Sequence, residues 1–292
     1  MAQCSRIVQL SDLHLTKNDN DVRTETKLFG KLKGMNQAFR RVIASKPVRE
    51  ADLILVTGDV TDRGDLEAWK VFWDGVNAAG VKDKILVLPG NHDMCCLGMR
   101  FPKASGYAEE DLEKARKGLI LGNQPCKFPW TWPDSKKATV AVFSLNSSNL
   151  GCLTAATNAL GDIGFYQLLA LSSKLHTYRD VPVKIVALHH SPNIPEEDSE
   201  FTRLASQIPA WERRSLRLLC VAHGVRLIVH GHLHRTENRR VNGIRIVGAP
   251  ATTEPHTNGG QKPVYSFWTY KIAGKSNRVS CKLISIPADG QD

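Results

Sequence analysis

Six short apolar runs, at residues 7–10, 53–56, 85–88, 140–145, 183–188 and 227–229, alternate along this chain with segments of helical period. Runs this short fit strands buried on both faces better than helices. Ahead of the second run, Met35, Phe39, Val42 and Ile43 fall on one helical face, with Arg40, Arg41 and Lys46 pointing elsewhere. Leu66, Trp69, Trp73 and Val76 repeat the arrangement ahead of the third, behind Asp65 as a cap and stopping at Gly80. Leu168, Leu171 and Leu175 do the same ahead of the fifth. Strand alternating with helix requires crossover connections, so the expected fold class is α/β, with functional loops at the carboxyl ends of the strands. After Gly259-Gly260 the alternation gives way to runs at 264–272 and 279–286, a terminal hairpin that extends a sheet.

Residues 94–137 interrupt the scheme with Cys95-Cys96, a helix expected over 109–119, and the segment Phe128-Pro129-Trp130-Thr131-Trp132-Pro133. An excursion this long either covers a functional site or packs its two tryptophans for stability. A chain of 292 residues, 42% hydrophobic and 23% charged, can bury a sizeable core, which excludes a disordered tail or a disulfide-stapled mini-protein. One domain over residues 1–292 is expected. Seven cysteines without a C-x-x-C pair suggest neither a zinc knuckle nor a disulfide framework, and a reducing cytoplasm is the natural expectation. The first residues hold no apolar signal core, and no apolar run approaches the roughly 18 residues of a membrane span. A formal net charge of +10 favours anionic partners: phosphate esters, nucleotides or nucleic acid.

Polar residues gather where the runs end. The first is followed by Ser11-Asp12-Leu13-His14, and in an extended segment Asp12 and His14 would project to one side and offer an oxygen and a nitrogen to one cation. The second leads into Thr57-Gly58-Asp59-Val60-Thr61-Asp62-Arg63-Gly64, where Gly58 permits a sharp turn and the two oxygens of Asp59 suit a bridge between ions. Pro89-Gly90-Asn91-His92-Asp93 follows the third, His189-His190-Ser191-Pro192 the fifth, and His230-Gly231-His232-Leu233-His234 the sixth. A surface loop explains Asp12 and His14 taken alone, and a helix cap explains Asp62 or Asp65. Five of the ten histidines nevertheless lie in the last two segments. Together the segments offer two carboxylates, an asparagine and four imidazoles, a thiolate-free set suited to manganese, iron, cobalt or zinc, and to two ions better than one.

In these motifs the chain resembles the calcineurin-like metallophosphoesterase superfamily: Asp12-Leu13-His14 for D-x-H, Gly58-Asp59-Val60-Thr61-Asp62 for G-D-x-x-D, Gly90-Asn91-His92-Asp93, the later His189, and Gly231-His232-Leu233-His234 for G-H-x-H. The resemblance spans residues 12–234 and implies a two-sheet β-sandwich flanked by helices. It places Asp12, His14, Asp59 and His234 on one metal, and Asp59, Asn91, His189 and His232 on the other, with Asp59 bridging two divalent or mixed-valence ions. It further implies attack on phosphorus by a metal-bridging hydroxide. His92 would protonate or stabilise the leaving oxygen, and Asp62 would orient His92 by accepting its other ring proton. Arg63 would hold a phosphate oxygen or else is a surface arginine, and His190 would contact the substrate or lie behind the metal ligands.

The pattern is closest to compact members resembling bacterial cyclic nucleotide phosphodiesterases, which share the H-H-x-P style motif and a terminal strand pair. That implies a small phosphoester substrate such as a nucleotide, with Trp130 or Trp132 stacking on a base if the excursion covers the site. A nuclease or a phosphomonoesterase on the same site is the alternative. Arg213, Arg214, Arg217, Arg226, Arg235, Arg239, Arg240 and Arg245, against the single acid Glu237, would suit a nucleic-acid backbone or simply a solvated surface. A non-catalytic scaffold that kept the fold is disfavoured, since no ligand position is lost.

Overall fold

The computed structural model of the chain describes residues 5–23, 32–94, 107–148, 159–193, 208–257, 262–273 and 277–289. In chain order the elements are β1 (Arg6–Leu10), α1 (Met35–Ala44), α2 (Lys46–Arg49), β2 (Leu53–Thr57), α3 (Leu66–Ala78), β3 (Ile85–Leu88), α4 (Asn91–Met94), α5 (Tyr107–Leu121) and β4 (Trp130–Trp132). They continue with β5 (Val140–Ser144), α6 (Phe165–Thr177), β6 (Val183–Ala187), α7 (Ala210–Ala222), β7 (Leu227–His230), β8 (Glu237–Val241), β9 (Ile244–Gly248), β10 (Val264–Ala273) and β11 (Arg278–Pro287). One sheet runs β11-β10-β1-β2-β3 and the other β4-β5-β6-β7-β9-β8. Parallel pairing of β1, β2 and β3, and of β5, β6, β7 and β9, puts the carboxyl ends of these strands at one end of the molecule.

Strand periodicity divides the apolar side chains into three layers. In β2, Leu53 and Leu55 face the other sheet, while Ile54 and Val56 face Phe39, Trp69 and Phe72 of the helices outside. In β7, Leu227 and Val229 face inward, and Ile228 packs outward with Leu171 of α6 and Leu216 of α7. Each central strand is therefore apolar on both faces, as its unbroken run requires. The result is an αββα sandwich. Phe39, Trp69 and Phe72 are fully buried, and truncating one of them to alanine is expected to cost about 3–5 kcal/mol. Gln9 is the polar exception between the sheets: its Nε2 donates to Thr57 Oγ1 at 3.0 Å and to the His230 carbonyl at 2.9 Å, and its Oε1 accepts from the Tyr270 hydroxyl. One satisfied amide thus ties β1 to β7 just below their carboxyl ends.

Several details depart from the sequence expectations. Leu66 sits in the first turn of α3 at 40% exposure, and the Asp65 side chain makes no cap hydrogen bond. The helix foreseen over 109–119 extends over Tyr107–Leu121, and the terminal hairpin pairs through β10 with β1. Cys95, Cys96, Gly259 and Gly260 lie outside the described residues. Part of the excursion is an edge strand, β4, in which Trp132 packs on the inter-sheet core and Trp130 is 39% exposed. Elements not anticipated include the short helices α2 and α4, the edge strand β4, α7 and the β8–β9 hairpin. The hairpin turns at Asn242-Gly243, both with positive φ, the geometry that suits a two-residue turn. Asn-Gly between two valine- and isoleucine-containing segments was the available signal, hidden by the polar residues of β8. No helix among the described residues is long and apolar enough to cross a membrane.

Candidate metal centre

Backbone conformation at the carboxyl ends of the strands departs from extended structure. Asp12, His14, Asp59, His232 and His234 have φ of 52°, 46°, 51°, 71° and 50°. Among the described residues, the other non-glycine residues with positive φ are Asn123, Asn242 and Asn277. Aspartate and histidine held there carry strain of order 1–3 kcal/mol each, which a fold sustains where geometry matters more than local stability. The expectation that strand alternation makes Asp12 face with His14, and His232 with His234, is therefore corrected. These residues lie beyond β1 and β7, and left-handed turns re-aim their side chains. The loops brace one another: Leu13 and His14 N–H both donate to the Asp59 carbonyl, and Gly231 N–H donates to the His189 carbonyl.

Two glycines make the approach possible. A Cβ on Gly58, at φ 96°, would collide with the His189 ring, and one on Gly90 would overlap the Asp59 carboxylate. Behind them the buried Asp93 carboxylate accepts from Thr61 N–H at 2.8 Å, Gly90 N–H at 2.9 Å and Val60 N–H at 3.2 Å, clipping the loop after β3 to the loop after β2. Burial, reinforced by the Asp59 charge, raises the Asp93 pKa to about 6.

All seven residues singled out as ligands come together. The donor atoms of Asp12, His14, Asp59 and His234 lie within 4.8 Å of one another. His14 Nε2 stands 3.2 Å from His234 Nε2, and His234 Nε2 stands 3.4 Å from Asp12 Oδ1. In the second group His189 Nε2 is 3.0 Å from Asn91 Oδ1, with His232 alongside. Asp59 joins the groups: Oδ1 accepts from His92 N–H at 2.9 Å, while Oδ2 lies 3.3 Å from His189 Nε2 and 3.7 Å from His14 Nε2. Donors each about 2.1 Å from a shared ion stand about 3–3.5 Å apart, so these spacings match coordination edges. His189 Nδ1–H donates to the Thr57 carbonyl at 2.8 Å, which turns the lone pair of Nε2 toward the centre.

The electrostatics favour cations. Burial lowers the pKa of His14 to about 3, with the Arg23 charge adding to the effect, and burial and the His189 charge lower that of His232 to about 3. Both imidazoles are thus neutral donors. Burial works against ionisation of Asp59, but His189, His92 and His14 outweigh it and hold the carboxyl well below its ordinary value. Burial likewise opposes the charged form of His189, yet Asp59 and Asp12 bring its pKa up to about 9. A proton there stands in for the positive charge that the carboxylates demand. His232 Nε2 is buried without a protein hydrogen-bond partner, as expected of an atom whose partner is an ion. The residues fit a metal centre.

The family model for calcineurin-like phosphoesterases matches residues 5–236. The chain belongs to the calcineurin-like phosphoesterase family. It is a metal-dependent phosphoester hydrolase, as the sequence implied. Among curated relatives, a 3′,5′-cyclic-nucleotide phosphodiesterase of Nostoc is 25% identical over 254 residues, covering 84% of this chain and 77% of that protein. The 3′,5′-cyclic adenosine monophosphate phosphodiesterase of Escherichia coli K12 is 24% identical over 261 residues, covering 86% and 78%. A dimetal phosphatase from Danio rerio superposes with a TM-score of 0.61 at 12% identity, over 98% of this chain and 99% of that one, and shows the same fold.

Other residues of this phosphoesterase fall differently from expectation. His92 Nδ1–H donates to the Asp62 main-chain carbonyl at 3.0 Å, and the Asp62 carboxylate, His92 and His14 bring donor atoms within 4.8 Å of one another. That carboxylate faces His14 Nδ1 at 3.5 Å and Arg63 Nε at 3.4 Å. Helix α4 begins at Asn91, and the His92 ring sits over the Asp62 backbone. Arg63 is part-exposed at the rim, and His190 is buried beside His232, ring centroids 4.4 Å apart. Sequence reasoning missed Arg23 and Glu254. Arg23 is 2% exposed, and its Nη2 stands 3.0 Å from His14 Nε2, the atom whose lone pair a bound ion would take. Glu254 lies 3.7 Å from both Arg23 Nη1 and His234 Nδ1. Neither follows a strand-end motif, so no spacing signal pointed to them.

Proposed function

We propose that this chain is a dinuclear metal-dependent phosphodiesterase acting on a small phosphodiester such as a cyclic nucleotide. The observation that carries the reading is Asp59 Oδ2 standing between two groups of donors, each completed by histidines from the other sheet. Asp12, His14, Asp59 and His234 would hold one ion, and Asp59, Asn91, His189 and His232 the other. Bound there, divalent ions polarise phosphate oxygens and acidify water as a nucleophile.

The chain's own groups supply the rest. His92, oriented by the Asp62 carbonyl, keeps Nε2 toward the centre to protonate the departing oxygen. Ser147 Oγ accepts from the backbone N–H of His189 at 3.2 Å and of His190 at 3.0 Å, so its own hydrogen goes to His190 Nδ1 at 2.9 Å. His190 Nε2 then carries a proton and acts as a donor to the phosphate, which a metal ligand cannot do. Arg23 adds a buried cation on the side of His14. Beside His92, Pro89 and Met94 line a cavity of about 630 Å³ that continues to Phe128, Asn146 and Phe165. A partly apolar space of that size suits the organic group of an ester. The relatives' recorded action on cyclic nucleotides supports a diester over a monoester. The arginine-rich stretch gives a nuclease less support: Arg217 and Arg239 are engaged with Asn193, and Arg226, Arg240 and Arg245 lie at the other end of the sandwich.

The test is a panel of bis-p-nitrophenyl phosphate, p-nitrophenyl phosphate, cyclic nucleotides and single-stranded DNA with added manganese. The expected result is diester turnover that Asp59→Asn abolishes. Full activity in that variant would sink the dinuclear reading, and preferential turnover of the monoester or of DNA would replace the substrate assignment.

A further inference from the structure

The opposite end of the sandwich holds a cavity of about 820 Å³ between the amino ends of β7 and β9 and the β10–β11 hairpin. Arg226, Arg240, Arg245, Lys271 and Arg278 line it, and its lining includes no carboxylate. None of these five cations forms an ion pair with an acid among the described residues.

Two of them are placed at a cost to the fold. Arg240 and Arg245 are direct cross-strand partners in the β8–β9 ladder, where like charges repel. Arg245 also stands two positions before Val247, on the strand face that packs between the sheets, and it is half-buried there. Its Nη1 donates to Cys281 Sγ at 3.3 Å and to the Val279 carbonyl at 3.4 Å, so β11 of the opposite sheet fixes the guanidinium. Nη2 has no protein acceptor among the described residues and remains available at the cavity. A planar guanidinium with free donors, flanked by four more cations, matches the oxygens of a phosphate group bidentately. Burial and the Arg226 charge also hold the nearby Lys184 below its ordinary pKa.

We propose that this cavity is a binding site for a small molecule carrying two or more linked phosphate groups, separate from the metal centre. A volume of about 820 Å³ suits a ligand of that size. Leu227 lines the cavity and His230 ends the same strand near the metal ligands, so about 10 Å of strand separates the two sites. The site is therefore separate from the substrate pocket and not an extension of it. The assignment does not depend on which phosphoester the metal centre hydrolyses.

Inorganic tripolyphosphate is the probe, titrated calorimetrically into the full chain at 0.15 M salt. Wild-type protein and Asp59→Asn are expected to bind it with the same affinity. Arg240→Gln/Arg245→Gln is expected to lose at least tenfold, and so is Arg226→Gln/Arg278→Gln, which leaves the Arg245 packing intact and guards against a folding artefact. Unchanged affinity in both double variants would overturn the proposal, as would loss of binding in Asp59→Asn, which would assign the anion to the metal centre. Displacement of the probe by a single-stranded DNA 20-mer with a steep salt dependence would also overturn it, in favour of a polynucleotide surface.

Discussion

The two ends of the sandwich present inverse charge arrangements. At the carboxyl ends of the strands, buried carboxylates and neutral imidazoles converge with Arg23 as the resident cation among them. At the opposite end, five cations converge without an acid. Each arrangement is unfavourable when left to itself, the first through desolvation of Asp12 and Asp59 and the second through repulsion across the β8–β9 ladder. The difference lies in how each is held. The upper end is fixed by left-handed backbone, glycine contacts and the Asp93 clip, whereas the lower end rests on one guanidinium anchored to β11 and on exposed side chains around it. A centre that must position reacting atoms within a few tenths of an ångström needs the first kind of support; a site that only needs positive potential does not.

The harshest test of the upper end is Asp59→Asn. Asparagine has nearly the same shape but removes the charge shared by both donor groups, so the fold should survive while the second ion is lost. We expect kcat/KM on bis-p-nitrophenyl phosphate to fall by about 10³ or more, with reduced metal content by elemental analysis. Removing metal from the wild type with a chelator should reproduce the loss, and adding manganese should reverse it. His92→Ala comes next, with an expected loss of about 10²–10⁴ in kcat and unchanged metal content. The deficit should be smaller for p-nitrophenyl esters than for cyclic nucleotides, because a good leaving group needs no proton. Equal deficits would remove His92 from the role of general acid.

Arg23 sharpens the comparison by testing a buried, permanently charged cation at the upper end. Arg23→Met removes a fixed positive charge from beside His14, so metal affinity, measured by calorimetry, is expected to rise by roughly tenfold. The KM for the diester is expected to rise as well, because a positive charge beside the site is lost. If metal affinity were unchanged, the guanidinium would be acting only as a packing element between Asp62 and Glu254.

Much of this was legible in the residues. Uninterrupted apolar runs at β2, β3, β5 and β6 announced strands covered on both faces, and polar clusters directly after them marked the functional end. What escaped had physical reasons. The backbone that aims Asp12 and His232 is strained, and strain is invisible to a periodicity argument. Arg23 lies in a loop with no apolar pattern, and Asp62 uses its carbonyl for His92, a choice that residue identity does not encode. The arginine-rich segment looked like a single stretch. Folding divides it, because α7, the loop after β7 and the β8–β9 hairpin send its members to different faces.

The smallest effect tests the lower end. Arg240 faces Arg245 across an antiparallel ladder, and relieving that repulsion is expected to stabilise the chain by roughly 0.2–1 kcal/mol. In thermal denaturation at low ionic strength, Arg240→Gln should therefore melt slightly above wild type, and the gap should shrink as salt screens the pair. Tripolyphosphate should narrow it further, since an anion held between the two guanidinium groups stabilises the wild type more than the variant. An Arg240→Gln protein that melted below wild type at low salt would mean that the arginines are already neutralised within the fold. The lower end would then be an ordinary solvated surface, and the inverse symmetry of the two ends would disappear.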